Sequence, residues 1–589
     1  MRRKASNAPA PVSRTRRRWS IAGYALLVGL GIALGMLHVC RRMSPFDEAI
    51  LLVGGERVLH GELPFRDFYA LYPPGQYYVV AGLLGVFGRS VLAIRVYCVV
   101  VRAAIGLLLF LVSRRLVSRR LALAGWGACI LWLSTHRNFG YPIYPALALA
   151  LFGFVLLMSC VERARSKANA SALRLWAAGA AMGVAALFRH DLAAYAVIAS
   201  LPWVAALFMS RPGTAASAGG AQSYATKRPP VWAYPAGMAV AFGVPAAWLL
   251  AVVPVRELVF ELFIYPATSY PLVRGLPYPS LLPYGIVGKV LHDPQLFLAN
   301  LDSVPYFASL AFYALGLLWW MNRVRVCGRA VLFESQSLTM FTLVIFGCLS
   351  FNLARVRCDR THAATMVVLS YPVMVGLLSV MWKSGRRWRV PASAVLLVVT
   401  LFTFPAPTTL LGASLAYGLG NSAYPGERHC RDAGADREDA ASYLRSVVPP
   451  GGRIFVGCSR HDLIWANEPI LYFLSERLPG TRYHVLDPGV ATTLPVQRDI
   501  VDGLIRNRVE YVVLSSAFAR VREPNLSAVS SGVSVLDEFL ENHYELDRRF
   551  GSDLSVWRKR ETDHESKNAA TLAATAGASA KHELIAMPR

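Results

Sequence analysis

Apolar runs of about 20 residues recur along this chain, each long enough to cross a hydrocarbon core about 30 Å thick as a helix. Ile21 to Val39, Val91 to Leu111 and Val231 to Val253 are examples. Of 589 residues, 55% are hydrophobic and 16% charged, against about 25% charged in an average soluble domain, which argues against a soluble fold. Arg2, Arg3, Lys4, Arg14, Arg16, Arg17 and Arg18 precede the first run, and no small-x-small cleavage site follows before Arg41. An uncleaved anchor with a cytoplasmic N-terminus is predicted. The formal charge of +25 sits in this tail and in short loops, so topology explains it better than nucleic-acid binding. The nine cysteines show neither a C-x-x-C pair nor zinc spacing with histidine, and nothing in their spacing supports a Cys430–Cys458 disulfide.

Short loops rich in Lys and Arg stay cytoplasmic. That rule places Arg114 to Arg120, Glu162 to Lys167, Arg211 to Arg228, Asn322 to Arg329 and Lys383 to Arg389 inside. The loops between them then face out: Arg41 to Gly75, His136 to Tyr141, Arg189 to Asp191, Val255 to Leu301 and Asn352 to His362. Parity requires Gln76 to Gly88, roughly 20 Å of helix, to be interfacial or re-entrant rather than spanning. The fold class predicted is a multi-pass α-helical membrane protein of about eleven spans, ending near Leu411, with an external C-terminus.

A linker at 412–436 leads to a second domain at 437–560, where helices Arg437 to Val447, Glu468 to Leu474 and Val496 to Arg506 alternate with strands Arg453 to Val456 and Tyr511 to Leu514. The pattern predicts a small α/β layer. Residues 561–589, rich in Ala, Ser, Thr and Lys, lack periodicity and are predicted to be disordered. G-C-S-R-H-D at 457–462 contains a Cys/His/Asp set, but adjacency in sequence says nothing about the geometry a nucleophile requires.

The first outer loop carries S-P-F-D-E-A at 44–49 and G-E-L-P-F-R-D-F-Y-A-L-Y-P-P-G-Q-Y-Y at 61–78. Asp47, Glu48 and Asp67 therefore stand next to the membrane surface among aromatic residues suited to the headgroup layer. Solvated charge is the ordinary reading of such carboxylates. Two further polar clusters fall on the same predicted face, Arg189-His190-Asp191 and R-V-R-C-D-R-T-H at 355–362. Ionisable groups at membrane depth are costly, so they are functional or paired.

These residues resemble the C-type-fold membrane glycosyltransferases, in particular the family 39-like group of protein O-mannosyltransferases, aminoarabinose transferases and Rgt-type lipopolysaccharide transferases. The resemblance is carried by Phe46 to Arg95 and extends loosely over the rest of the membrane region. It implies that Asp47, with Glu48 beside it, supplies the catalytic carboxylate, that Asp67 is the second acidic position, and that Arg95 closes the motif. Arg357, Asp359 and His362 resemble an R-x-D-x-x-H pattern of the same group. It further implies a bacterial inner-membrane location, and a long outer loop that covers the lipid and acceptor site, although an interfacial aromatic belt is the ordinary reading of its Tyr265, Tyr270, Tyr278 and Tyr284.

Transfer from a polyprenyl-phosphate-linked sugar to a glycan, lipid or protein acceptor needs a general base, for which Asp47 is the first candidate. The departing phosphate needs cations, for which Arg95, Arg189, Arg355 and Arg357 are candidates. His190, Asp191, Asp359 and His362 are supporting polar groups. A divalent cation, Mg or Mn, on Glu48, Asp67, Asp191 or His362 is an open option. Three other readings stand beside this one: a transporter or lipid flippase, a scaffold presenting the C-terminal domain, and a polymerase or ligase using lipid-diphosphate donors.

Overall fold

The structure is a computed structural model that describes residues 14–37, 39, 43–136, 139–165, 171–209, 230–280, 303–385 and 433–560. The loop at 211–228, the long outer loop beyond 280 with Tyr284, the stretch 386–432 with Cys430 and the segment 561–589 lie outside the described residues. The chain divides into two compact units, Met1–Asp432 and Ala433–Arg589.

The first unit is helical. Its elements are α1 (Arg14–Met36), α2 (Asp47–Leu59), α3 (Gly75–Phe87), α4 (Val91–Ser113), α5 (Arg119–Ser134), α6 (Ile143–Arg165), α7 (Ala172–Phe188), α8 (His190–Phe208) and α9 (Ala233–Val252). A broken helical stretch follows at 255–273, then α10 (Val304–Cys327), α11 (Ser335–Val356) and α12 (Ala364–Lys383). Among the described residues, α4, α6, α8, α9, α10, α11 and α12 are the seven helices long and apolar enough to cross a membrane, and Ile21–Met36, Gly75–Phe87 and Ala172–Phe188 are shorter apolar helices.

The sequence reading treats 41–75 as one loop, whereas the structure folds its first part into α2. At 13 residues, α2 is shorter than the window that reveals spans. Its Gly54 and Gly55 lie tight against α3: a Cβ at Gly54 would meet the Tyr77 ring at 2.4 Å, and one at Gly55 would meet Val80 at 2.5 Å. The two helices thus form a hairpin. Its connecting turn is clasped by Asp67, whose carboxylate accepts from Leu63 N–H at 2.8 Å and whose carbonyl accepts from Arg57 at 2.9 Å. Buried Phe65 adopts φ +71° inside that turn.

Small residues set another close contact, between α7 and α9. A Cβ at Gly179 would stand 1.8 Å from the Tyr234 carbonyl oxygen, and one at Gly237 would stand 2.0 Å from that of Trp176. With lipid outside, such crossings depend on backbone approach rather than on a hydrophobic drive. Gly179→Val is expected to destabilise by at least about 1–3 kcal/mol, seen as a lower melting temperature in detergent. Gly243→Ala on the same α9 has no heavy atom within 4 Å of the added Cβ and is the control, expected to leave the melting temperature unchanged.

The second unit contains α13 (Ala435–Val447), β1 (Arg453–Cys458), α14 (Ile470–Ser475), β2 (Leu478–Pro479), α15 (Leu494–Arg506), β3 (Tyr511–Ser515), α16 (Val535–His543), β4 (Tyr544–Phe550) and β5 (Leu554–Lys559). Its sheet has the order β2-β1-β3-β5-β4, with β2, β1 and β3 parallel and β3, β5 and β4 antiparallel. The α/β layer read from sequence is present, extended by β2, α16 and the β4–β5 hairpin.

Candidate functional site

Asp47 and Glu48 open α2, and the exposed N–H groups of a helix's first turn favour negative charge there. Ser44 supports the turn, its hydroxyl accepting from Asp47 N–H at 3.1 Å and donating to Asp47 Oδ2 at 3.5 Å. The neighbouring carboxylates diverge. Glu48 is buried and receives two bonds from Arg95, Nε to Oε1 and Nη2 to Oε2, both 2.8 Å. Arg95 also donates to the Val39 carbonyl at 3.0 Å. It lies one turn into α4, a helix started by Ser90, whose hydroxyl accepts from Ala93 N–H. Arg95 thus joins the first turn of α4 to Glu48 at the start of α2.

Asp67 belongs to the hairpin turn. The side chain of Arg66, together with the Leu63 N–H, holds its carboxyl below the ordinary aspartate range. Its described contacts are with Arg66 and Leu63 of the same turn and with Arg57 near the end of α2.

The second cluster forms where α7 breaks into α8. Arg189 is extended at the junction (φ −151°, ψ 96°). It donates to both oxygens of Asp191, at 3.0 and 2.6 Å, and to the Tyr141 hydroxyl at 3.3 Å. Asp191 also accepts from Leu192 N–H at 2.8 Å. The His190 ring faces Phe263 of the broken stretch, centroids 5.1 Å apart.

The third cluster lies between α11 and α12. Asp359 Oδ1 accepts from the N–H groups of Thr361 and His362, at 3.0 and 2.9 Å, a local turn typical of aspartate. Both its oxygens face His362 Nδ1, at 2.8 and 2.9 Å, and Arg357 Nε donates to Oδ2 at 3.0 Å. Burial pushes the Asp359 carboxyl up, but His362 and Arg357 outweigh it and hold the group below the usual carboxylate range. Arg355 points elsewhere: it is exposed and donates to Asn352.

A row of rings links the clusters. The charge of Asp47 bears on the Tyr72 phenol. Tyr72 and Tyr141 have centroids 5.7 Å apart, and Tyr141 and His362 6.0 Å apart. Sequence reasoning missed Tyr72, Tyr141 and Arg274. The Arg274 guanidinium, on a buried residue, sits 5.3 Å over the ring of Phe46, which precedes Asp47, and the Arg274 carbonyl accepts from Arg357 at 2.6 Å. One signal was in the sequence: Arg274 is the sole charged residue between Glu261 and Lys289.

Among the described residues, no three His, Cys, Asp or Glu side chains gather as a metal-binding group. The carboxylates considered for that role face protein cations: Glu48 faces Arg95, Asp191 faces Arg189, and Asp67 faces Arg66. His362, the fourth candidate, faces Asp359.

In the second unit, buried His461 bonds through Nδ1 to Asp537 at 2.6 Å, and its Nε2 accepts from Cys458 N–H at 3.2 Å. The Cys458 thiol points to the Ala466 carbonyl, at 3.5 Å. That histidine serves the backbone rather than the thiol.

No protein-family model and no curated protein matches the chain. Solved structures similar to it include the Archaeoglobus fulgidus oligosaccharyltransferase tethered with an acceptor peptide, with a TM-score of 0.47, 13% identity, and coverage of 93% of this chain and 74% of that one. ArnT from Cupriavidus metallidurans bound to undecaprenyl phosphate is similar with a TM-score of 0.44 and 14% identity, over 91% of this chain and 98% of that one. The mycobacterial arabinofuranosyltransferase AftD is similar with a TM-score of 0.48 and 13% identity, over 94% of this chain and 40% of that one. These structural neighbours are glycosyltransferases of the C-type fold.

Proposed function

We propose that this chain is a membrane glycosyltransferase that moves a sugar from a polyprenyl-phosphate donor to an acceptor hydroxyl on the outer face of the membrane, with Asp47 as general base. The carrying observation is the arrangement around Asp47: a carboxylate at a helix start, its neighbour Glu48 immobilised by Arg95, and a row of rings leading to Arg189, Arg357 and His362. In this reading the acceptor oxygen attacks the anomeric carbon and gives its proton to Asp47. The bond from that carbon to phosphate oxygen breaks, and the electron pair leaves on the lipid phosphate. Arg189, Arg357 and Arg274 are the cations assigned to the phosphate, where charge grows as the bond breaks. Arg95 is reassigned to positioning, and no step passes through a metal ion.

The test is to incubate purified protein and membranes of the source organism with radiolabelled undecaprenyl-monophosphate and undecaprenyl-diphosphate sugars, then identify the lipid product. Release of lipid monophosphate from the first donor class supports the reading. Turnover of the diphosphate donors alone would establish the polymerase or ligase alternative. Uptake into vesicles without donor consumption would establish the transporter.

A further inference from the structure

The broken stretch at 255–273 brings Tyr270 to the third cluster. Its hydroxyl lies 3.4 Å from His362 Nε2. The opposite ring nitrogen is fixed: Nδ1 faces both oxygens of Asp359, so it carries the hydrogen and donates. In the neutral ring Nε2 is then a pure acceptor with one lone pair, and whatever binds it must offer a hydroxyl or N–H. At present Tyr270 does so, across a distance well beyond the usual 2.7–2.8 Å or so for a hydroxyl donor. This contact is weak.

The segment bearing Tyr270 is tied at both ends and irregular between them. Glu261 accepts from Ala70 N–H at 2.8 Å near one end. At the other, the Arg274 carbonyl accepts from Arg357, and Leu276 pairs with Arg357 in an isolated bridge. The first tie sits in a π-helical turn, Phe260–Ile264, and two short helical pieces follow, Tyr265–Ala267 and Ser269–Val273, containing Pro266 and Pro271. Such wide turns recur at functional sites.

We infer that Tyr270 is a place-holder: its hydroxyl occupies on His362 Nε2 the position that a sugar hydroxyl of the substrate takes on binding, so that Tyr270 and the sugar compete for one acceptor. The inference rests on the glycosyl-transfer reading and adds a recognition site to it. Asp359 is the positioning residue that keeps Nε2 an acceptor. Arg357, Arg189 through Tyr141, and the Arg360 carbonyl held by His136 at 3.2 Å frame the same loop. The sugar belongs either to the donor or to the acceptor, and separate KM measurements distinguish them.

The experiment measures KM for labelled undecaprenyl-phosphate sugar, and separately for the acceptor in source membranes, in four proteins: the native chain, Tyr270→Phe, His362→Ala and the double variant. Tyr270→Phe removes the competing hydroxyl while keeping the ring, and is expected to lower KM about 2-fold for whichever substrate supplies the hydroxyl, the low end of one hydrogen bond's net worth because the contact is long. His362→Ala raises that same KM. In the double variant the gain from Tyr270→Phe disappears, because the two residues act on one atom. A raised or unchanged KM in Tyr270→Phe overturns the inference, as does an equal gain in the His362→Ala background. Absence of turnover in the native chain with every donor would instead overturn the glycosyl-transfer reading.

Discussion

Asp47→Asn is expected to lower sugar transfer about 10²- to 10⁴-fold, the usual contribution of a positioned general base. The amide is isosteric with the carboxylate and keeps an oxygen for the Ser44 hydroxyl, which meets Oδ2 in the native side chain. The variant should therefore fold, insert and melt as the native chain does. What it loses is the capacity to take a proton. Initial rates with labelled donor, together with thermal melting in detergent, check both parts. Full activity in a folded Asp47→Asn protein would remove Asp47 from the mechanism, and Glu48 is a poor substitute because Arg95 occupies both its oxygens.

Arg95→Met is expected to act on stability, by about 3–5 kcal/mol, because it leaves Glu48 buried without its cation. Both side chains are 4% exposed, so water does not rescue the stranded carboxylate. Replacing both partners, Glu48→Gln with Arg95→Met, is expected to recover most of the loss, since the cost lies in the unpaired charge rather than in the absence of a bridge. Melting temperatures of the native chain, the single variants and the double variant complete the cycle. Activity gives a second readout: the loss in Arg95→Met should follow the loss of folded protein. A fully folded Arg95→Met protein whose donor KM rises steeply would return Arg95 to the phosphate.

These two predictions separate what was readable in the sequence from what was not. The apolar runs of α4, α6 and α9 declare themselves because lipid tolerates little else at that length. The Asp359–His362 contact is legible as well, being only three residues apart. The Glu48–Arg95 pair joins positions 47 residues apart on different helices, and no local pattern encodes that choice. The same holds for Arg274 beside Phe46. α2 was hidden for another reason: it is short, starts on two carboxylates, and sits in a stretch whose aromatic and proline content reads as loop. In the second unit, R-I-F-V-G-C and Y-V-V-L-S are apolar because parallel strands are covered on both faces. Y-E-L-D-R-R-F in β4 is exposed from Glu545 to Arg549, so it lacks the alternation that betrays a half-buried strand.

The strand order of the second unit bears on how the chain is made. β5 follows every other strand in synthesis, yet it lies second from the sheet's edge, between β3 and β4. Until it emerges, β3 presents one bare flank and β4 has no neighbour in the sheet, a state prone to pairing with the wrong chain. A premature stop just before Leu554 would therefore remove the sole sheet neighbour of β4 among the described residues as well as the residues that follow it. Residues 554–559, the last strand in chain order, fill the place between β3 and β4.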